Sequence, residues 1–371
     1  MKRTHLTDLF ESWTDDFLCE NGIRLPLRFS GASTEYEAAR TGVILAEGGD
    51  RGLIRTGGAD IVDYLQRMLS SDLKKLQPGQ GQWSAMLDQK GHWVADLVLY
   101  RLEDQNDAPV IYIDCPACRV DAVLERLETF HFGEKATWRA VECARLMVAG
   151  PQAAKQLADL FPSALLFGPA IEKCGLQSFP LPIEFGSEAL PDDLRLVERP
   201  DRGLPCFEIN GSAETVRQYA EKLLSAGAVP AGFVVLDILR VESHRPRWGN
   251  DFSESNTLPG SGEWQRACFT KGCYTGQEVV AKIDTYGAAP RQLCHLSFEG
   301  PAKPLNGKEL HDDEQKSVGV VTSWVWSPVR DQAVGLGIIK RRAVEAQQPL
   351  RVTSDAEEVM TTFEPPVKVR G

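Results

Sequence analysis

No apolar run in the 371 residues approaches the ~20 that a membrane-spanning helix needs, and mean hydropathy is negative at -0.24. A helical bilayer span is therefore excluded. Positive charge is also short: 41 Lys and Arg stand against 52 Asp and Glu, a formal net charge of -11. Broad adhesion to nucleic-acid backbones, which needs a clustered positive face, is not expected. The nine cysteines are odd in number and scattered without tight spacing, which is not the pattern of a disulfide framework, and a reducing, cytoplasmic setting fits better. The six histidines show no paired ligand spacing, and only His244, inside an arginine-rich stretch, stands out. The opening MKRTHLTDLFESW lacks the apolar core and small-residue cleavage site of a signal peptide. Low-complexity segments and solenoid-period repeats are missing as well.

What is present is an ordinary globular composition, 43% hydrophobic and 25% charged, on a chain long enough for two or three packed units. From Arg55 a short apolar strand ends at Gly57-Gly58, and Ile61, Leu65, Met68 and Leu69 then recur at helical spacing. Trp83 to Asp88 and Trp93 to Tyr100, broken at Lys90-Gly91, read as a hairpin that carries Asp88 and Asp96. Val110 to Ile113 predicts a strand and Arg119 to Phe130 a helix; Cys206 to Ile209 and Ala213 to Ala226 repeat that unit. The stretch from Phe161 to Pro191, rich in proline and glycine, reads as an irregular connection. After Pro290 short alternating runs predict a small terminal β-barrel or sandwich. The expected fold is α+β, with a core in residues 1–290, in two parts of about 1–140 and 141–290, and a β domain in 291–371.

The densest chemistry lies in Lys271-Gly-Cys-Tyr-Thr-Gly-Gln-Glu278, where glycines permit a tight turn that presents Cys273. Lys271, two residues away, would favour the thiolate, the nucleophilic and metal-binding form. A lone cysteine near a lysine also suits a small buried apolar position. Arg240 offers a planar fork of donors, and in an extended stretch Glu242 would face the same side; a structural ion pair is the alternative. Asp96 can equally be a turn carboxylate. Arg240, Arg245 and Arg247 form one basic cluster and Lys340-Arg341-Arg342 another, each readable as solvated surface. Cys115-Pro-Ala-Cys118 lies between strand and helix, but with no second such pair a tetrahedral zinc site lacks ligands.

Lys271, Gly272, Cys273, Tyr274, Gly276, Gln277 and Glu278 complete the KGCYxGQE signature, and on it the chain resembles the YgfZ family of folate-binding proteins, relatives of the glycine cleavage T protein. Gly57 to Gln66 with Ser71-Asp72 looks like the N-terminal folate-domain pattern of the T protein. Trp83 to Asp96 is similar to the T-protein segment that supplies an aromatic wall and an aspartate of one-carbon chemistry. The stretch Leu239 to Asp251 resembles its Leu-Arg-x-Glu segment. The resemblance implies a core of mixed sheets and helices with a C-terminal β-barrel, folate bound in a central cavity by Arg240, Trp83 and Glu242, and functional roles for Cys273 and Asp96. Leu204 departs from it, standing where the T protein has a pterin-recognising glutamate.

Three functions follow from the resemblance. The first is an accessory protein that holds tetrahydrofolate or a derivative, uses Cys273, and supports iron–sulfur enzymes or their assembly proteins and tRNA modification. The second is a tetrahydrofolate-dependent aminomethyltransferase or demethylase in which Asp96 orients or protonates the amine. The third is a scaffold that docks a partner through its terminal β domain. No bound metal and no membrane partner are expected, and a single cysteine in the signature does not complete a four-thiolate site.

Overall fold

The computed structural model describes residues 2–105, 108–160, 179–180, 195–199, 203–287, 289–300, 303–354 and 357–366. They fall into two units. Met1–Gln66, Asp72–Ser84 and Leu97–Leu236 form the first; Arg67–Ser71, Ala85–Asp96 and Asp237–Gly371 form the second. Gln80–Ser84 and Leu97–Gln105 belong to the first unit, and Ala85–Leu87 and Trp93–Asp96 of the same two strands to the second. The stretch from Phe161 to Pro191 lies outside the described residues apart from the strand Phe179–Pro180. Among the described residues no helix is long and apolar enough to cross a membrane.

The first unit holds two large sheets besides the small two-stranded sheet Phe17–Glu20 and Ile23–Pro26. One runs in the order Arg195–Glu198, Cys206–Gly211, Ala144–Ala149, Ile44–Glu47 and Val229–Pro230, antiparallel except for the last pair. Period-2 alternation decides its two faces. Phe207 and Ile209, with Leu45, Leu146 and Val148, enter a core that includes Val216, Ala220 and Leu223 of the helix Ala213–Ser225. That helix starts where the Ser212 side chain accepts the Thr215 N–H, and Gly227 follows its end with φ +91°. The alternate residues of the same strand, Glu208 and Asn210, face the other way and are also buried.

A six-stranded sheet is ordered Phe179–Pro180, Gln80–Leu87, Trp93–Gln105, Ala108–Pro116, Arg51–Gly57, Thr137–Val141. Leu53, Trp83, Val98, Tyr100, Val110 and Tyr112 from it cluster with Val197 in the first unit.

In the second unit six antiparallel strands close a barrel: Arg291–Phe298, Gln332–Lys340, Ser317–Ser327, Glu309–His311, Leu350–Ser354 and Glu357–Glu364, the last pairing back onto the first. Its interior holds Leu296, Phe298, Leu310, Val318, Val321, Ile339 and Val352. A register shift between Val321 and Ser323 marks an irregularity in the strand Ser317–Ser327, and both Thr322 and Ser323 hydroxyls there donate to Asp251 Oδ1 at 2.6 Å. The architecture is thus a mixed α+β core with a small C-terminal β-barrel, as the sequence predicts.

Candidate active site

The signature segment sits on a loop that leads into the helix Gln277–Tyr286. Gly276 has φ +83°, and a Cβ there would lie 2.6 Å from the Asp88 carbonyl oxygen and 3.2 Å from Gly91 Cα. Gly91, with φ +73°, is equally constrained: a Cβ would meet Val279 Cβ at 2.9 Å. The two glycines let the hairpin turn and the helix start approach within contact distance. The turn itself is fixed by Asp88, whose Oδ1 accepts the Lys90 and His92 N–H groups at 2.8 Å. Gly276→Ala is expected to cost on the order of 1–3 kcal/mol, from a strained φ and a backbone collision, and to lower Tm with no change in the Gly272→Ala control. An unchanged Tm in Gly276→Ala would show that the turn does not need this glycine. A Cβ at Gly272 meets nothing within 4 Å.

Lys271 extends its ammonium to the carbonyl oxygens of Leu69 and Ser71, at 2.6 and 2.7 Å, and lies 5.1 Å from the centre of the Tyr274 ring. Tyr274 is buried in a cluster with Trp93, Trp248 and Trp264, and burial pushes its phenol up from the ordinary value. Between these two anchors Cys273 is exposed. The lysine thus ties the loop to the segment Leu69–Ser71, a placement that the thiol-activation expectation did not include. Gln277 is half-buried and Glu278 exposed in the first turn of the helix.

Asp96 is 6% exposed, with Oδ2 3.8 Å from Arg266 Nη2; Arg266 Nε in turn donates to Glu263 Oε2 at 2.6 Å. Arg266 ends the short 3₁₀ turn Trp264–Arg266. Its carbonyl accepts the Ser70 hydroxyl at 2.5 Å, and the same hydroxyl accepts the Ala85 N–H at 2.9 Å. The Cys268 N–H donates to the Ser70 carbonyl at 2.9 Å.

The structure places Arg240 and Glu242 differently from the extended stretch expected of them. They end the helix Phe233–Glu242, where residues two apart point to widely separated directions. Buried Arg240 donates to Asp237 Oδ1 at 2.6 Å, Asp251 Oδ2 at 2.7 Å and Ser323 Oγ at 2.8 Å. Glu242 Oε1 accepts the Ser327 hydroxyl at 2.5 Å. Arg247 joins the same acids, donating to Asp237 through its side chain and to Asp251 through its backbone. In the second basic cluster Lys340 donates to the Ser317 carbonyl, and Arg341 and Arg342 pair with Glu345 and Asp312.

His244 takes a left-handed conformation, φ +57°, at the helix end, and its ring stacks on His295 at 3.4 Å between centroids. Burial lowers both imidazoles, His295 to about 4, so the pair is neutral near pH 7. Cys115 is buried and Cys118 exposed; among the described residues no group of three or more His, Cys, Asp or Glu could hold a metal ion.

Sequence reasoning missed the most strongly charged feature of the first unit. Asp114 accepts from Arg51 and Arg145, Arg145 also donates to Glu208, and Arg199 Nη1 reaches Glu208 Oε1 at 2.9 Å and Asp114 Oδ2 at 3.2 Å. Arg199, Asp114 and Glu208 are each 0% exposed. Burial alone would raise the Asp114 carboxyl; Arg145, Arg51 and Arg199 outweigh it and hold the group well below the usual carboxylate range. Beside this network, Arg195, Asn210 and Arg145 occupy directly paired positions across three strands, and the Arg195 guanidinium lies 4.8 Å from the Tyr112 ring. Arg145 Nε and Nη1 and Asn210 Oδ1 are buried and make no hydrogen bond among the described residues. Buried polar atoms left unpaired are costly.

Comparison with known proteins adds the relationship. Residues 6–169 match the family model of the GCVT N-terminal domain, and residues 291–367 match the glycine cleavage T-protein C-terminal barrel domain. The chain is 28% identical to the aminomethyltransferase of Halalkalibacterium halodurans over 351 residues, covering 92% of this chain and 90% of that one. It is 28% identical to the Bacillus subtilis aminomethyltransferase over 356 residues, covering 93% and 92%. The crystal structure of the glycine cleavage system aminomethyltransferase T from Bartonella henselae superposes with a TM-score of 0.85 at 26% identity, over 100% of this chain and 99% of the other.

Proposed function

Because the chain belongs to the superfamily of the glycine cleavage T protein, we propose that it is a tetrahydrofolate-dependent one-carbon transferase of the aminomethyltransferase kind, with Asp96 as its acid–base group. The observation that carries this reading is the burial of Asp96 beside Arg266, in the segment that resembles the T-protein aspartate. A carboxylate withdrawn from water is held at a cost unless a countercharge accompanies it, and such groups concentrate at reacting centres. Asp96 would orient the amine of the donor and hold or return its proton as the carbon unit leaves. Tetrahydrofolate, when bound, supplies the nitrogen that accepts that unit.

The Trp83, Tyr100 and Tyr112 cluster would hold the ring, with Arg145 donating to and Asn210 accepting from its edge. Leu204 cannot accept a hydrogen bond through its side chain, so an amide would replace the glutamate of the T protein in pterin recognition. Arg240 and Glu242, bonded within the second unit, would support the fold of that unit. The test is product analysis under anaerobic conditions with methylamine-type and aminomethyl donors. Carbon transfer that requires tetrahydrofolate is expected, and tetrahydrofolate binding without transfer from any donor would remove the transferase reading.

A second reading has its own observation. Cys273 is exposed on a loop pinned on one side by Lys271 and on the other by buried Tyr274, a presentation suited to meeting a partner. On that reading the protein is a cytoplasmic folate-binding accessory factor for iron–sulfur enzymes, including those of tRNA modification, and Cys273→Ala abolishes complementation while Asp96→Asn does not.

A further inference from the structure

We propose that Arg266 is a positioning residue for Asp96, held in place by Glu263 through its side chain and by Ser70 through its backbone. The inference rests on the transferase reading and extends it to three residues that no sequence motif singles out. Arg266 Nη2 stands 3.8 Å from Asp96 Oδ2, beyond hydrogen-bond range but within that of a strong charge contact. A guanidinium at that distance fixes the direction of the carboxylate through its field. At that separation Nη2 donates no hydrogen bond to Oδ2. Glu263, 2.6 Å from Arg266 Nε, fixes the plane of the guanidinium from the opposite side.

The backbone is as firmly placed as the side chain. Ser70 Oγ donates to the Arg266 carbonyl at 2.5 Å and accepts from the Ala85 N–H at 2.9 Å, and the Ser70 N–H donates to the Ala85 carbonyl at 3.0 Å. Ala85 lies on the first strand of the hairpin whose second strand carries Asp96. One serine therefore ties the turn that carries Arg266 to the hairpin that carries Asp96. Asp96, Arg266 and Glu263 are all buried, and buried ionic groups hold their geometry only when each is matched.

The experiment compares Arg266→Gln, Arg266→Lys, Asp96→Asn and the double variant Asp96→Asn/Arg266→Gln in the full chain. With turnover as the readout, Arg266→Gln is expected to lower kcat roughly 10- to 100-fold, as displacement of a reacting group does, with KM for tetrahydrofolate little changed. Arg266→Lys should recover most of the loss, and Arg266→Gln should add nothing in the Asp96→Asn background, because its effect passes through Asp96. Equal losses in both backgrounds would overturn the proposal and leave a structural role. A second readout does not need turnover: the ¹³C signal of the Asp96 carboxyl, assigned by its absence in Asp96→Asn, should move in Arg266→Gln and return in Arg266→Lys. A signal that stays put in Arg266→Gln would overturn the positioning role even if the transferase reading stood. A wild-type protein without transfer but with the expected signal changes would overturn that reading alone.

Discussion

Asp114→Ala is expected to destabilise the protein by about 3–5 kcal/mol, the cost of removing one partner from a buried ionic network. Three arginines, Arg51, Arg145 and Arg199, converge on this carboxylate, and in its absence Arg145 and Arg199 keep their pairing to Glu208. The charges of Arg199 and Arg145 cannot turn to water, since Arg199 is fully buried and Arg145 nearly so. The loss would appear as a lower midpoint in urea unfolding, against a control at the exposed pair Lys316 and Glu314, where about 0–1 kcal/mol is expected. A change below about 1 kcal/mol for Asp114→Ala would mean that the network is not what holds the sheets of the first unit. The pH dependence has a definite sign. A folded-state pKa held below the unfolded value of about 3.8 contributes stability that is present above that value and is lost as pH falls through the lower one. Asp114→Asn should therefore remove part of the steepness of acid unfolding.

Asp96→Asn is expected to lower kcat/KM for one-carbon transfer by roughly 10²–10⁴-fold, the usual contribution of a positioned acid or base, while tetrahydrofolate still binds. Asparagine keeps the size of the side chain but neither takes up nor returns a proton. Cys273→Ser, measured beside it, should stay within a few-fold of the wild type if transfer is the activity. The opposite pattern, with Cys273 indispensable and Asp96 dispensable, would favour the accessory reading. Calorimetric titration separates binding from chemistry in both variants, so that a lost ligand is not mistaken for a lost step.

Much of the fold was legible because local and global signals agree. Ser212, the apolar spacing of Val216, Ala220 and Leu223, and Gly227 mark one helix from start to stop, and the alternating runs after Pro290 form the barrel strands. Legibility failed where the partner lies far along the chain. Glu208 and Asn210 alternate with Phe207 and Ile209 as the polar positions of a half-exposed strand would, yet their partners arrive from other strands, 63 residues away for Arg145 and Glu208. No spacing rule reaches that far. Arg266 was silent for the same reason: nothing in its neighbourhood points to Asp96. The segment around Arg240 misled differently, since an apolar run such as Phe233–Glu242 fits a strand or a buried helix equally well. The signature segment was found, but its lysine serves backbone carbonyls, a role that a motif cannot display.

Closure of the terminal barrel has a consequence for where the chain can be shortened. The strand Glu357–Glu364 is hydrogen-bonded to Leu350–Ser354 on one side and to Arg291–Phe298 on the other, and so completes the circle. Ending the chain before Glu357 would do more than delete a peripheral segment. It would turn a sheet without borders into an open one with two unpaired rims, each a template for another chain. The last described strand thus guards the molecule against self-association.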